Sequence, residues 1–177
     1  KTVEGKLIYG EEKIDLGKYS GKRILEKVFL DPENIDANPK VIKNLKNAQI
    51  IIAGPGDLYT TIFPVLIIKE IKNILRKSKA LKIFVVNVAN KPFETKNYAV
   101  GDYIKAIKRN LGFFPFDKII VNSNFSPKIP QKYDYSYVDI KNIEETNLQI
   151  IKRDIVDETF PLYHNPLRLA KTIKEII

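Results

Sequence analysis

The stretch Gln49-Ile50-Ile51-Ile52-Ala53, followed at once by Gly54-Pro55-Gly56-Asp57, decides the fold. A short and continuously apolar run is typical of a parallel strand that is covered on both faces. The glycines that come next allow backbone conformations that other residues avoid. The stretch therefore predicts a buried strand that ends in a tight loop, as in a layered α/β protein.

Strands and helices alternate from this point onward. We predict strands at residues 49–53, 81–88 and 118–122, separated by helices from about residue 62 or 64 to 77 and from about residue 98 to 111. This order favours an α/β, Rossmann-like three-layer fold with a mostly parallel sheet. Short strands at 135–138 and 148–152 and a last helix at 166–177 are predicted to follow.

The segment before residue 49 is predicted to add N-terminal β-strands at 3–9 and 23–30, where apolar and polar residues partly alternate. Asn38 and Pro39 then form a typical helix start, with Asn as N-cap and Pro at the first helical position. This helix is expected to end near Asn47 and to bury Val41, Ile42 and Leu45. Residues 1–177 are thus predicted to form a single α/β domain.

The composition excludes several kinds of site. The chain has no cysteine and one histidine, His164, which excludes disulfides, a thiolate nucleophile and the common zinc sites. A metal here would be a hard, oxygen-bound ion such as Mg²⁺. The net charge of +9 is spread along the chain as lysines, so we interpret it as a solvated surface and expect no nucleic-acid partner. The longest apolar run, residues 62–68, is too short to cross a membrane.

Three loops are expected to lie at the carboxyl edge of the sheet, where open α/β folds bind ligands. The first loop combines Gly54 and Gly56 with the hydroxyls of Thr60 and Thr61 at a helix N-terminus. Because that end of a helix carries partial positive charge, the loop suits an anion or a phosphate. The alternative is a tight turn that needs glycine for its geometry alone.

The other two loops also carry polar side chains. Asn87 ends a buried strand, and Glu94 in the same loop could bind Mg²⁺, act as a base or hold a sugar hydroxyl. Asn122 ends the third strand. His164 precedes the last helix and could act as a general base or a phosphate partner. Each position also has a plain structural explanation: a capped loop, an ordinary turn or a hydrogen-bonded helix start.

Residues 54–64, GPGDLYTTIFP, resemble the GPGSLYTSIIPNLL signature of the gluconeogenesis factor family, which is related to the 2-phospho-L-lactate transferases. Residues 87–95 resemble the family's NVMTQPGET segment, and residues 163–170 resemble RHDPEKLA. With weaker matches near residues 3–11, 30–32 and 102, the resemblance covers essentially the whole chain in order. The chain departs from these motifs at Thr61, Val65, Phe93, Tyr103 and Asn165.

The resemblance also implies that the chain is part of a longer protein. The family begins with a Gly-rich loop of the GGGTG type, which does not occur here, and the chain contains no methionine, even at position 1. We therefore expect it to represent the C-terminal half to two-thirds of a larger family domain. Its expected partner is the N-terminal segment of that domain or a second copy of the chain.

The function that the resemblance implies is that of a cytoplasmic regulatory protein of carbon metabolism and cell shape that binds a nucleotide sugar such as a UDP-sugar. The alternative is a Mg²⁺-dependent enzyme similar to the 2-phospho-L-lactate transferases. In the enzyme, Glu94 and Asp57 would be catalytic, with Asp57 as a metal ligand. The expected contacts of the nucleotide-type ligand are Gly54, Gly56, Leu58, Tyr59, Thr60, Thr61, Asn87, Thr95, Asn122 and His164.

Overall fold

Four parallel strands form the central sheet in the computed structural model, which describes residues 1–144 and 147–177. Their order across the sheet is β1-β2-β4-β6, and each neighbouring pair is parallel. All four carboxyl ends therefore lie at one edge, and the predicted mostly parallel sheet is confirmed. Strands β3 and β5 form a separate antiparallel pair. The strands are β1 (Ile50–Ala53), β2 (Leu81–Val85), β3 (Ala89–Asn90), β4 (Lys118–Asn122), β5 (Ser136–Tyr137) and β6 (Gln149–Arg153).

Helices flank the sheet on both sides and complete the three layers. On one side, Phe84 and Ile119 pack in a large core with Phe63, Leu75 and Ile104. On the other side, a smaller core joins the strands to the last helix. The helices are α1 (Glu11–Asp15), α2 (Pro39–Asn47), α3 (Phe63–Leu66), α4 (Lys69–Lys77), α5 (Val100–Leu111) and α6 (Pro166–Ile176), with a π-helical turn at Leu58–Ile62 and a 3₁₀ turn at Gln131–Tyr133.

The structure corrects the prediction of N-terminal β-strands at 3–9 and 23–30. This segment contains helix α1 and one isolated antiparallel bridge, between Thr2 and Leu25. Val3 and Ile24 remain about half exposed. Beside this bridge the Val3 N–H donates to the Ile24 carbonyl oxygen at 3.0 Å, and beyond it the Val28 N–H donates to Asn110 Oδ1 of α5 at 2.8 Å.

Two further boundaries and the burial of one helix differ from the prediction. The helix expected up to residue 77 begins as the π-helical turn and breaks between α3 and α4, where Ile68 is extended. The strand expected at 81–88 leaves the central sheet after β2, and its continuation pairs with β5. Helix α2 has the predicted bounds, and Ile42 and Leu45 are partly buried and pack against the large core, but Val41 is 42% exposed.

Within the described residues, we find no helix with both the length and the apolar character that a membrane span requires.

Candidate functional site

A crevice of about 410 Å³ lies at the carboxyl edge of the sheet. The loop after β1, the loop after β2 and the segment before α6 meet there. The structure thus brings together five of the residues that the sequence singles out: Gly56, Asp57, Thr61, Asn87 and His164. The rest of the lining consists of Pro55, Ala89, Lys91, Tyr135, Leu162 and Tyr163.

The loop after β1 is fastened to the end of β2. Gly54 has φ +88°, and a Cβ atom at this position would lie 2.6 Å from the carbonyl oxygen of Val85. The N–H of Gly56 donates to Asn87 Oδ1 at 3.0 Å. Gly54 therefore serves the geometry of the turn, whereas Gly56 and Asn87 together shape the floor of the crevice.

Glu94 lies beneath this loop and is only 2% exposed. Its Oε2 accepts a hydrogen bond from the N–H of Tyr59 at 3.0 Å, and its Oε1 accepts one from the Thr60 hydroxyl at 2.5 Å. Burial raises the pKa of the Glu94 carboxyl, and these two hydrogen bonds oppose the rise. Two donors that the sequence suggests for a phosphate are thus engaged by the protein's own carboxyl group.

Lys91 joins three separate segments at the side of the crevice. Its ammonium donates to Asp57 Oδ2 at 2.8 Å and also to Asp15 of α1. Burial alone lowers the pKa of Lys91, but the hydrogen bonds to Asp15 and Asp57 outweigh it, so that the pKa is raised overall. The side chain is therefore charged at every ordinary pH.

One carboxylate oxygen from each of Asp15, Asp57 and Glu94 lies within 4.8 Å of the other two. Oxygen donors of this kind suit Mg²⁺. The oxygens face other partners, however: Lys91 bonds both aspartates, and both oxygens of Glu94 accept hydrogen bonds. As arranged, these residues do not fit a magnesium ion, and we derive no chemical step through one.

His164 closes the crevice from the side of α6. Its Nε2 lies 3.1 Å from the carbonyl oxygen of Val86. Because a carbonyl only accepts, Nε2 carries the hydrogen and Nδ1 is the acceptor of the neutral ring. Burial lowers the pKa of His164, against the opposing effect of the Val86 carbonyl. At neutral pH the ring is therefore uncharged, beside the aromatic rings of Tyr135 and Tyr163.

The structure does not bring the remaining candidates into the crevice. Leu58 belongs to the core, and the Tyr59 hydroxyl donates to the carbonyl oxygen of Leu25. Thr95 accepts from the N–H of Lys91 within the second loop. Asn122, only 4% exposed, accepts from the N–H of Ile155 and so joins the ends of β4 and β6.

A second cavity, of about 550 Å³, lies between the first loop and the N-terminal segment. Tyr59 and Thr60 line it, together with Tyr9, Leu25 and Phe29. It is separate from the crevice, since the two share no lining residue.

Sequence reasoning missed Asp15, Lys91, Tyr135 and Tyr163. Lys91 and Tyr163 stand within the loops that the sequence identifies, so strand-end position was a usable signal for both. Asp15 belongs to a helix that was not predicted, and its place beside Lys91 depends on a contact between residues 76 positions apart.

A family model described as 2-phospho-L-lactate transferase CofD matches residues 1–156. The gluconeogenesis factor of Bacillus subtilis is 36% identical over 181 residues, which are 98% of this chain and 56% of that protein. A putative gluconeogenesis factor of Clostridium acetobutylicum is 33% identical over 184 residues, which are 100% of this chain and 41% of that protein. The chain thus spans about half the length of these relatives.

A solved structure has the same fold. The crystal structure of BH3568, a member of the UPF0052 family from Bacillus halodurans, matches with a TM-score of 0.85 at 25% identity. The match covers 98% of this chain and 56% of that one. The chain therefore belongs to the family of the 2-phospho-L-lactate transferase CofD, and within this family it is similar to the gluconeogenesis factors.

Proposed function

We propose that the crevice binds a nucleotide-type ligand, a UDP-sugar or a close analogue. In this proposal the protein is a cytoplasmic regulator of the gluconeogenesis factor type, with a role in carbon metabolism and cell shape. The observation that carries the proposal is the convergence of Gly56, Thr61, Asn87, Lys91 and His164 on one crevice at the carboxyl edge of a parallel sheet.

The lining offers a partner for each part of such a ligand. The Lys91 ammonium and the Thr61 hydroxyl suit a phosphate group, and the net charge of +9 favours an anionic ligand. The carboxylate of Asp57 and the amide of Asn87 suit sugar hydroxyls. The rings of Tyr135 and Tyr163 offer flat apolar surface for the base or the sugar.

Calorimetric titration of the chain with a UDP-sugar tests the proposal. We expect saturable binding of one ligand, and weaker binding of UDP and of the free sugar. Asn87→Ala removes a side chain that faces the ligand and holds Gly56, so we expect a loss of affinity of about tenfold.

Asn73→Ala is the matched control, because Asn73 lies on α4 and lines a different cavity. Its affinity should equal that of the wild type. An absence of saturable heat with every ligand, or equal affinities of the Asn87 variant and the wild type, would contradict the proposal.

A transferase similar to the 2-phospho-L-lactate transferases is the second candidate, favoured by the matching family model and by Glu94. A buried carboxyl with a raised pKa suits a group that holds or transfers a proton, with Asp57 beside it. The proposed dependence on Mg²⁺ is opposed by Lys91, which bonds the aspartates. Turnover of a nucleotide diphosphate donor, lost in Glu94→Gln and followed by phosphorus NMR, would favour the enzyme.

We also propose that the protein works as a homo-oligomer or with the N-terminal segment that the family resemblance implies. Strand β1 stands at the edge of the central sheet, and its Ile50 and Ile52 are 37% and 42% exposed. An edge strand with exposed apolar side chains is a surface on which another strand can pair and pack.

A further inference from the structure

We propose that Lys91 is the resident cation of the crevice: its ammonium occupies the position between Asp15 and Asp57 that a divalent ion would otherwise take, so that the site works without a metal. This inference holds whichever ligand the crevice binds. It concerns the carboxylates and the lysine alone, and it can be tested with no ligand present.

The first step of the argument is geometric. Lys91 is 16% exposed at its side chain, and Asp15 and Asp57 are 21% and 33% exposed. An ammonium group donates up to three hydrogen bonds and accepts none. Two of those hydrogens point at Asp15 and at Asp57. An ammonium at hydrogen-bond distance from both carboxylates stands where a metal ion bridging the two aspartates would lie.

The second step concerns charge. Asp15, Asp57 and Glu94 each place one carboxyl oxygen within 4.8 Å of the other two. Carboxylates this close repel each other unless a cation lies among them or one of them is protonated. Lys91 supplies the cation between the two aspartates, and both oxygens of Glu94 accept hydrogen bonds from the protein. The aspartates thus have a cation among them with no ion from solution.

The third step concerns how the position is held. Asp15 belongs to α1, Asp57 to the loop after β1 and Lys91 to the loop after β2. The ammonium therefore links three segments that are distant in sequence. Because each donor–acceptor pair is mostly shielded from water, removing one partner would leave a partly buried charge uncompensated.

Electron paramagnetic resonance of free Mn²⁺ gives a direct test. We expect the wild type to show no saturable binding up to about 1 mM, the weak end of oxygen-ligand sites. Lys91→Met keeps the apolar stem and removes the charge. We expect it to bind one Mn²⁺ at least about tenfold more tightly than the wild type, because the freed aspartates become ligands.

Three variants control the experiment. Lys91→Arg keeps the charge and should behave as the wild type. Lys91→Met combined with Asp57→Asn should lose the gained binding. Lys96→Met removes an exposed lysine that pairs with Asp134 at 2.8 Å, and it should gain no Mn²⁺ binding.

Two results would overturn the inference. One is a single saturable Mn²⁺ site in the wild type that Asp57→Asn abolishes. The other is a folded Lys91→Met protein, verified by circular dichroism, that binds Mn²⁺ no better than the wild type. Should Lys91→Met not fold, the comparison of the wild type with Asp57→Asn decides the matter alone.

Discussion

Gly54→Ala is expected to destabilise the protein by about 2–5 kcal/mol, because two separate costs add at this position. The φ angle of +88° is unfavourable for any residue with a Cβ atom. The new Cβ would also lie 2.6 Å from the Val85 carbonyl oxygen. This oxygen belongs to the backbone of β2, so it can move away only if the sheet is distorted. Urea unfolding followed by circular dichroism measures the loss.

Gly112→Ala separates these two costs. Gly112 has φ +79°, and an added Cβ would meet nothing within 4 Å. Its substitution should therefore cost only the conformational part, about 1–2 kcal/mol. Equal losses for the two variants would show that the loop does not approach β2 as closely as the structure has it.

Glu94→Ala is expected to destabilise the protein by about 2–4 kcal/mol, since it leaves the Tyr59 N–H and the Thr60 hydroxyl without their buried acceptor. Glu94→Gln keeps an oxygen that can accept from Tyr59 and an amide that can donate to the Thr60 oxygen. We therefore expect a much smaller loss for the glutamine variant. Thermal or urea unfolding of both proteins at one pH measures the difference.

The same pair of proteins tests the charge state of Glu94. Burial raises the pKa of Glu94 above its ordinary value of 4.5, so the folded state favours the protonated carboxyl. The stabilisation is complete below pH 4.5 and is lost as the pH rises through the folded-state pKa. Glu94→Gln cannot ionise, so its free energy of unfolding should increase relative to that of the wild type as the pH rises above 4.5. A difference that stays constant, or that changes in the opposite direction, would contradict a raised pKa.

The central sheet was predictable because its strands are short apolar runs. The strand predicted at 118–122 has the same bounds as β4. The strand predicted at 49–53 is one residue longer than β1. The N-terminal segment was predicted wrongly by the same criterion: its partly alternating pattern is that of a strand, but among the described residues it forms only the isolated bridge between Thr2 and Leu25. The π-helical turn at Leu58–Ile62 was also out of reach, because Glu94, far along the chain, accepts from the N–H of Tyr59 within it.

The candidate site was predictable where it depends on strand ends. Gly56, Asp57, Thr61 and Asn87 follow β1 and β2, and parallel topology alone places them at one edge. The contact between Lys91 and Asp15 was not predictable, because α1 reaches the crevice only through tertiary packing. The periodicity of the sequence likewise could not show that Glu94 accepts hydrogen bonds from the Tyr59 N–H and the Thr60 hydroxyl of the first loop.

The most direct test of the central claim is to locate the ligand on the protein. A ¹⁵N heteronuclear NMR titration of the assigned chain with a UDP-sugar does this residue by residue. If the ligand binds in the strand-end crevice, the largest chemical-shift changes should occur at the amides of Gly56, Thr61, Asn87 and His164. These changes should saturate as ligand is added. Shifts centred instead on the second cavity, at Tyr9 and Phe29, or no saturable shifts at all, would contradict the claim that this crevice is the binding site.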